Sequence, residues 1–446
     1  MADTYFTRTP GSAGNRRTFT WSAWLKRSGL GSTNRMWSAG TSIPTNNDNL
    51  SSFIFNSDDT MTFFGENGGS QSFQVKTSQV FRDTSAWYHI VLAVDTTQAT
   101  ASNRVKFYVN GSQVTDFSTA SYMSQNYDTF FNATNLHVIG YSATAATFNG
   151  YMAHVNFTDG TAYDASAFGE TDTNGQWAPI PTPSVTYGTN GFFLKFASSG
   201  SLGTDSSGNG NDFTKNGSGD QVTDTPDNVF ATWNALDKST SVPPTLSLGN
   251  TTLSQPNSGL SSNTTLGVSS GQWYFECKVT GISAWLGVVP QNLHPASSNL
   301  FTASNTAGVY GNIPNLYLNG SSQGSLGGGV SNGDILMIAF DIDNGNFYVG
   351  KNGLWNDGLG GGFDQADFAN ATAHSFTVKT GDNYVVGTVN GSGSTSYVLD
   401  INFGNGYFGT TAVSSGNADD AGIGTFEYAP PTGYYALCTK NIASYG

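Results

Sequence analysis

The chain has 446 residues, of which 37% are hydrophobic and 11% are charged, and its formal net charge is −14. A chain of this length is expected to form two domains, and its 13% of aromatic residues excludes a disordered protein. The negative charge argues against nucleic acid and anionic membranes as partners, because both are themselves negatively charged.

Short apolar segments that end at turn residues recur along the chain and predict strands, whereas helical periodicity is almost absent. The first of them, TFTWSAWLK, places Phe19, Trp21 and Ala23 on one face. Asn110-Gly111 separates two strand-like segments and predicts a hairpin with a primed turn. Further strands are predicted at 52–55, 61–64, 87–95, 136–140 and 150–157.

The motifs of the first 185 residues follow an order that is typical of one family. The tryptophan-rich strand TFTWSAWLKRS precedes WYHIVLAVD, and the hairpin VKFYVNGSQV and the strand NGYMAHVNF come after it. In combination these motifs resemble the laminin-G-like, concanavalin A-like lectin sandwich. The resemblance implies one antiparallel β-sandwich over residues 1–185.

Residues 186–244 are interpreted as a segment that returns to the first domain, followed by a linker rich in Ser, Thr, Gly and Pro. The loop DSSGNGND within them has two interpretations. Asp205, Asn209 and Asp212 offer oxygen ligands of the kind that bind calcium, and the glycines equally suit a polar turn. No glutamate closes the loop as in an EF-hand, which favours the turn.

The stretches GQWYFECKV and GDILMIAFDIDNGNFYVGKNG are aromatic-rich strands broken by Asn-Gly turns. They resemble the two most recognisable parts of a SPRY domain, a β-sandwich that binds partners and catalyses no reaction. The resemblance covers residues 245–446. The sequence therefore predicts an all-β protein with two antiparallel β-sandwiches in series.

Four further blocks carry a resemblance that runs almost from end to end. TRTPGSAGNRRT, LGTDSSGNGNDF, VTDTPDNVFATWNAL and the C-terminal INFGNGYF occur together in this chain. This order resembles tail-fibre-like proteins of marine bacteriophages. It implies a virion structural protein, a tail fibre or receptor-binding protein, that attaches the particle to a host-surface glycan.

Two alternatives stay open. A capsid decoration or head-fibre protein is favoured by the lack of a coiled-coil or triple-helical shaft in the sequence. A polysaccharide depolymerase would need a pair of carboxylates at a fixed separation. The only glutamates are Glu66, Glu170, Glu276 and Glu427, and none lies in the Glu-x-Asp-x-x-Glu pattern of sandwich glycosidases.

The expected partners are other virion proteins and a host cell-surface glycan or protein, with several copies in each particle, as a homotrimer for example. The N-terminus lacks the basic and apolar regions of a signal peptide, and no segment approaches the length of a membrane span. We therefore expect synthesis in the host cytoplasm, assembly into the virion and no insertion into a membrane.

No catalytic residue and no cofactor other than the calcium ion considered above is predicted. His89, His137 and His154 lie in strand patterns without metal-ligand spacing. Cys277 and Cys438 do not make a disulfide framework, and Cys277 is expected to be a small buried hydrophobic residue.

Aromatic side chains in loop-like sequence contexts are the predicted ligand contacts, because such rings stack on sugar faces. They are Tyr310, Tyr317 and Trp355. A basic segment near the N-terminus is the predicted docking surface for an acidic virion neighbour. Its cationic residues are Arg16, Arg17, Lys26 and Arg27.

Overall fold

The structure is a computed structural model that describes residues 4–41, 48–141, 147–173, 175–240, 242–255, 261–281, 284–293, 300–311, 314–390 and 396–446. The chain divides into two compact units, residues 1–221 and 222–446. Each unit is built from antiparallel sheets that enclose an apolar core, apart from one short parallel pairing of residues 273–274 with 435–436. The protein is thus all-β, with two antiparallel β-sandwiches in series.

The division falls inside residues 186–244, which the sequence assigns to a returning segment and linker. Strands within 192–194 and 214–216 belong to the first unit, and the strand at 233–238 belongs to the second. The strand at 214–216 pairs with residues 5–7, so the returning segment lies next to the first strand of the first sandwich.

The strands of the first unit are β1 (Tyr5–Arg8), β2 (Thr18–Arg27), β3 (Asn34–Gly40), β4 (Leu50–Phe55), β5 (Thr60–Asn67), β6 (Ser70–Val80), β7 (Tyr88–Asp95), β8 (Val105–Val109), β9 (Ser112–Val114), β10 (Phe117–Ser121), β11 (Leu136–Ile139), β12 (Gly150–Asp159), β13 (Gly169–Thr171), β14 (Trp177–Pro179), β15 (Phe192–Leu194) and β16 (Thr214–Asn216).

Within the described residues, these strands form two large sheets and one hairpin. One sheet has the order β10-β6-β5-β4-β3-β11-β1-β16 and the other has the order β15-β12-β2-β7-β8-β9. β13 and β14 pair only with each other. Aromatic side chains dominate the core between the sheets, and the rings of Trp37 and Phe131 stack there with centroids 3.6 Å apart.

Period-two alternation explains the central strand of this core. Phe19, Trp21 and Ala23 of β2 share one face, as predicted, and the structure buries that face fully in the core. The predicted hairpin is confirmed by the pairing of β8 with β9. Asn110 and Gly111 between them have φ values of 47° and 83°, which is the left-handed pair that a type I′ turn requires.

The strands of the second unit are β17 (Trp233–Lys238), β18 (Thr245–Ser247), β19 (Thr252–Gln255), β20 (Ser262–Thr264), β21 (Gln272–Thr280), β22 (Ala284–Pro290), β23 (Ala307–Tyr310), β24 (Asn315–Leu318), β25 (Ser321–Ser325), β26 (Ile335–Asp341), β27 (Asn346–Lys351), β28 (Leu354–Asn356), β29 (Phe363–Gln365), β30 (His374–Ser375), β31 (Tyr384–Asn390), β32 (Tyr397–Asn402), β33 (Tyr407–Phe408), β34 (Thr411–Ala412) and β35 (Tyr435–Ala436).

Two sheets enclose the core of the second unit. One has the order β17-β20-β31-β22-β23-β24-β25, and we call it the platform sheet. The other has the order β18-β19-β32-β21-β26-β27-β28-β29, with β30 paired to β27 and β35 to β21, and we call it the opposite sheet. Phe426, Tyr434, Ala436 and Cys438 pack on the outer side of the opposite sheet, where Tyr274 lies.

Two local features complete the fold. The helix α1 (Thr439–Tyr445) follows β35, and no helix in the described ranges has the length and apolarity that a membrane crossing requires. Cys277 and Cys438 are buried free thiols, so the expectation for Cys277 is confirmed.

Candidate functional site

Four aromatic rings meet on the outer face of the platform sheet. Trp285 of β22 stacks on Tyr310 of β23 with ring centroids 4.7 Å apart, and Tyr317 of β24 meets Trp285 edge-on at 4.2 Å. Phe301 lies parallel to Trp285 at 5.5 Å, with 2° between the ring planes. Offset and edge-on contacts of this kind are the favoured aromatic geometries. We call these four residues the aromatic surface.

Strand alternation and one glycine position these rings. Leu286 and Val309 point into the core, so their neighbours Trp285 and Tyr310, which are paired across β22 and β23, point outward. At Gly308, opposite Tyr317, an added Cβ would lie 2.5 Å from the Phe301 ring. The missing side chain therefore lets a ring lie directly on the strand.

Three rings of the aromatic surface keep access to solvent. Trp285, Tyr310 and Tyr317 are half-buried, whereas Phe301 is 1% exposed and forms the floor. Among the described residues, nothing hydrogen-bonds to the Trp285 indole N–H or to the Tyr310 and Tyr317 hydroxyls. These polar atoms can therefore bond to a ligand while the rings pack against its apolar faces.

An apolar cavity of about 20 Å³ lies between the two sheets, on the core side of the platform sheet. Tyr310 lines it together with core residues of both sheets. The other lining residues are Val279, Ala284, Leu286, Val309, Gly311, Pro314, Val330, Leu336 and Leu399.

The structure brings together two of the three predicted ligand contacts. Tyr310 and Tyr317 lie on adjacent strands and both touch Trp285. Their expected loop context was wrong, because both belong to strands. The prediction for Trp355 was also wrong. Trp355 lies on the opposite sheet, is 4% exposed and packs on Phe368 at 4.8 Å.

Sequence reasoning missed Trp285 and Phe301. Trp285 lies on β22, between β31 and β23 of the platform sheet. Its alternation with Leu286 and Val288 was the available signal, because residues adjacent to core positions face outward. Phe301 sits in a short 3-10 turn, Leu300–Thr302, for which the sequence carries no comparable pattern.

The loop considered for calcium is held by its own hydrogen bonds. Asp205 Oδ1 accepts the backbone N–H groups of Phe193 and Ser207, each at 2.8 Å, and Oδ2 accepts the Asn211 N–H at 2.9 Å. Asp212 Oδ1 accepts the Asp205 N–H at 2.7 Å. The side-chain amide of Asn209 donates to two backbone carbonyls. No acidic, histidine or cysteine cluster suited to a metal occurs among the described residues.

The basic segment does not form one docking surface. Lys26 is 1% exposed and Arg27 is fully buried, so the prediction for these two residues was wrong. Arg27 pairs with Asp59 at 3.0 Å and lies over the Phe55 ring. Alternation along β2 could not reveal this, because the segments that bury both of its faces are distant in sequence.

The two remaining arginines of this segment reach the surface but have partners. Arg17 and Asp128 form an ion pair at 2.7 Å in which both side chains are nearly half-exposed. The Arg16 guanidinium donates to the Thr129 carbonyl oxygen at 2.7 Å. The arginines of this segment therefore bond to other groups of the first unit.

A serine and a histidine lie in hydrogen-bond contact on the outer face of β2 and β7. Ser22 Oγ and His89 Nε2 are 2.9 Å apart, and the Trp177 indole N–H donates to His89 Nδ1 at 2.9 Å. Because the indole can only donate, His89 Nδ1 must accept, and Nε2 carries the ring proton. His89 thus donates to Ser22 and cannot act as the base that would activate it.

Burial sets the protonation of the strand histidines. It lowers the pKa of His89 to about 3, with a smaller contribution from His154. It lowers the pKa values of His137 and His154 to about 4. All three lie on strands, as predicted, and His154 adopts a φ of 50° at a bulge in β12.

Glu276 is a fully buried carboxyl on the outer side of β21. Oε1 accepts from the Tyr274 hydroxyl at 3.0 Å and the Tyr428 N–H at 2.7 Å, and Oε2 accepts from the Glu427 N–H at 3.0 Å and the Asn402 amide at 3.2 Å. Burial raises the pKa of Glu276 to about 7, although these bonds oppose the shift. The residue fastens the C-terminal segment to the opposite sheet.

One family model matches part of the first unit. Residues 2–162 match the family described as the concanavalin A-like lectin/glucanases superfamily. No curated protein gives a significant match to the chain. The PSpry domain of TRIM65 is 14% identical, with coverage of 39% of this chain and 91% of that domain, and has a TM-score of 0.30.

Two other solved structures are similar to parts of this chain. A candidate carbohydrate-binding protein from Bacteroides ovatus is 15% identical over 48% of this chain and 56% of its own, with a TM-score of 0.31. Tailspike protein 2 from Escherichia coli O157:H7 bacteriophage CAB120 is 10% identical over 36% of this chain and 22% of its own, with a TM-score of 0.27. At these values the similarity carries no argument about function.

Proposed function

We propose that the chain is a bacteriophage virion protein, of the tail-fibre or receptor-binding type, that attaches the particle to carbohydrate on the host surface. The aromatic surface carries this proposal. Its three half-buried rings share one sheet face, and their polar atoms have no hydrogen-bond partner among the described residues. The apolar face of a pyranose packs on such rings, and its hydroxyl groups bond to the phenol and indole groups.

Two further observations support the proposal. The match of residues 2–162 to a lectin and glucanase superfamily is consistent with carbohydrate as the ligand class of the first unit. The motifs TRTPGSAGNRRT and LGTDSSGNGNDF resemble tail-fibre-like phage proteins, which supports a place in the virion.

The proposed mechanism is binding without bond cleavage. In the first unit, the Ser22–His89 pair has its proton on the nitrogen that faces serine, which disfavours nucleophilic catalysis. In the second unit, the buried Glu276 already accepts four hydrogen bonds from its own chain. A single site need only be about millimolar in affinity, because many copies on one particle multiply weak contacts.

Attachment of the purified full-length chain to host cells tests the proposal. We expect Trp285→Ala and Tyr317→Ala to weaken attachment about tenfold, since central aromatic anchors dominate binding energy. Tyr445→Ala is the matched control, because Tyr445 is 41% exposed and lies outside the aromatic surface. Unchanged attachment by correctly folded Trp285→Ala and Tyr317→Ala proteins would exclude the aromatic surface as the site.

Two more measurements separate this function from its alternatives. Antibody labelling of intact particles places the chain at the tail if it is a fibre and over the capsid lattice if it is a decoration protein. A reducing-sugar assay on host polysaccharide is expected to show no release. Release of reducing sugar at catalytic rates would show that the chain is a depolymerase and would contradict binding without cleavage.

A further inference from the structure

An imidazole and an ammonium group share one aromatic ring on the outer face of the six-stranded sheet of the first unit. Phe192 and Leu194 of β15 point into the core, so Phe193 between them points outward. The His154 ring lies 5.4 Å from the Phe193 ring, measured between centroids, and the Lys195 Nζ lies over the same ring at 5.1 Å from its centroid. Both side chains are half-buried, and the Phe193 ring is the floor beneath them.

A bulge in β12 directs His154 to this place. The register of β12 against β2 shifts between Ala153 and Asn156, and His154 inside the shift has a φ of 50°. A bulge re-aims the side chains around it, and bulges are over-represented beside functional sites. A residue other than glycine in the left-handed region is uncommon, and such strained conformations cluster where a ligand binds. The backbone therefore adopts an unfavourable conformation that presents this imidazole at the edge of the sheet.

The polar atoms of both groups are free to bond to a ligand. In the described part of the chain, no residue forms a hydrogen bond or an ion pair with the Lys195 ammonium or with the His154 imidazole. His154 Nδ1 is buried, whereas Nε2 keeps contact with solvent. A buried N–H group without an acceptor is rarer than a buried acceptor without a donor. The neutral ring therefore carries its proton on Nε2, and an N–H donor lies beside the ammonium.

The carboxylate of Asp205 is bonded to the same strand but is saturated by its own loop. Its Oδ1 accepts the N–H groups of Phe193 and Ser207. Its Oδ2 accepts the Asn211 N–H at 2.9 Å and the Ser207 hydroxyl at 2.8 Å. A ligand oxyanion could instead accept from the ammonium and the imidazole together. Charge-assisted hydrogen bonds of this kind are about twice as strong as those that a neutral hydroxyl group makes.

We propose that Lys195 and His154 form a site for the anionic group of an acidic saccharide, on the outer face of the six-stranded sheet. The carboxylate of a uronic acid and the phosphate ester of a sugar offer the same chemistry. The saccharide part of this inference rests on the proposed carbohydrate attachment, and the anionic part rests on the two nitrogen groups. An anionic sugar is expected to bind about tenfold more tightly than its neutral counterpart.

Saturation-transfer difference NMR titrations of the full-length protein test the site with glucuronate, glucose 6-phosphate and glucose. We expect at least one of the two anionic sugars to bind about tenfold more tightly than glucose. A preference for only one of them identifies the carboxylate or the phosphate as the group that is recognised. The His154 ring resonances should also shift more with the preferred anionic sugar than with glucose. Equal binding of the three sugars, or binding of none, would overturn the site.

Two variants and a matched control locate the preference. Lys195→Gln removes the charge and should abolish most of the preference. His154→Asn should reduce it, and asparagine tolerates the left-handed backbone at this position. Lys106→Gln is the control, because Lys106 is half-buried on β8 of the same sheet and its replacement changes the net charge equally. An equal loss in Lys106→Gln would assign the preference to the general charge of the protein and overturn the site. If a variant does not fold, the shift of the His154 resonances in the wild type still decides the question.

The outcomes also separate this site from the proposed function. Trp285→Ala should keep the preference for the anionic sugar, because Trp285 belongs to the second unit. Loss of the preference in Trp285→Ala would assign it to the aromatic surface and overturn the site. Equal binding of the three sugars, with attachment to cells still dependent on Trp285, would overturn the site and leave the proposed function standing. A preference that depends on Lys195, with attachment that is independent of Trp285, would support the site and overturn the aromatic surface.

Discussion

The indole N–H of Trp177 donates to His89 Nδ1 across 2.9 Å and so fixes which nitrogen of a fully buried imidazole carries the proton. Trp177 lies on the β13–β14 hairpin and His89 on β7, so this bond ties the hairpin to the outer face of the six-stranded sheet. It stabilises the fold and removes the only role that His89 could play as a base toward Ser22.

The tautomer of His89 is the first prediction. We expect the neutral Nε2–H form at pH 7, because Nδ1 accepts from an indole that cannot itself accept. Long-range proton–nitrogen correlation spectra report the tautomer directly. In Trp177→Phe this constraint is lost, and the free energy of unfolding of the first unit should fall by about 1–3 kcal/mol. An Nδ1–H tautomer in the wild type would contradict the geometry.

The first unit is expected to lose stability in mild acid. His89 and His137 are buried and His154 is half-buried, and their pKa values are lowered from 6.5 to about 3, 4 and 4 respectively. Above pH 6.5 the three histidines are neutral in the folded and the unfolded state, and the free energy of unfolding of the first unit is at its full value. This free energy falls as the pH falls toward 4, because the unfolded chain takes up protons that the folded unit cannot. Each histidine can cost up to about 1.4 kcal/mol per pH unit in this range.

Hydrogen exchange followed by mass spectrometry, corrected for intrinsic rates, resolves the two units in the intact chain. Peptides from residues 88–95 should lose protection between pH 7 and pH 5. Constant protection there would show that the three histidines titrate normally. His137→Phe removes one of the three histidines, so it would show how much of the loss of protection between pH 7 and pH 5 comes from that residue.

Because of Glu276, the stability of the second unit should depend on pH with the opposite sign. Its pKa is raised from 4.5 to about 7, so the folded state keeps a proton that the unfolded chain has lost. The free-energy cost of burying the ionised Glu276 carboxylate is fully present above pH 7 and disappears as the pH falls to about 4.5. Relative to Glu276→Gln, the wild type should therefore gain stability over this interval. Denaturant titrations at three pH values measure the difference, and a wild-type loss on acidification would contradict it.

Removal of the Glu276 side chain should be far more costly than its titration. In Glu276→Ala, four donors lose their acceptor inside the protein, and the free energy of unfolding should fall by at least about 3 kcal/mol. Glu427→Ala is the matched control, because Glu427 is only half-buried and bonds to Ser414 near the surface. Its expected cost is below about 1 kcal/mol. Similar costs for both variants would argue against Glu276 as the main attachment.

Gly308 should control the shape of the aromatic surface. In Gly308→Ala the new methyl would meet the Phe301 ring at 2.5 Å, and the ring must move from beneath Trp285. We expect a loss of about 1–3 kcal/mol in stability together with weaker attachment to cells. Gly11→Ala, where nothing lies within 4 Å, is the control. Wild-type attachment by Gly308→Ala would show that Phe301 does not support the binding rings.

Part of the candidate site was predictable from local patterns. Tyr310 and Tyr317 were selected as candidate ligand contacts from loop-like contexts, whereas each lies on a strand and the two are neighbours through strand pairing. Trp285 could have been added from alternation alone, because Leu286 and Val288 beside it are apolar core positions. The contribution of Phe301 could not, because Phe301 lies in a short 3-10 turn outside the strand repeat, and its contact with Gly308 depends on how that turn folds back onto β23.

The sequence by itself determined the strand class, the hairpin at Asn110-Gly111 and the side of each strand on which Phe19 or Trp285 would point. These follow from the two-residue repeat and from turn chemistry, which are local properties. Only the tertiary structure decided which outward faces stay accessible. It buried Arg27 and Trp355 and left Trp285 half-buried. The two-residue repeat of a strand does not show which other segments of the chain pack over each face of a sheet.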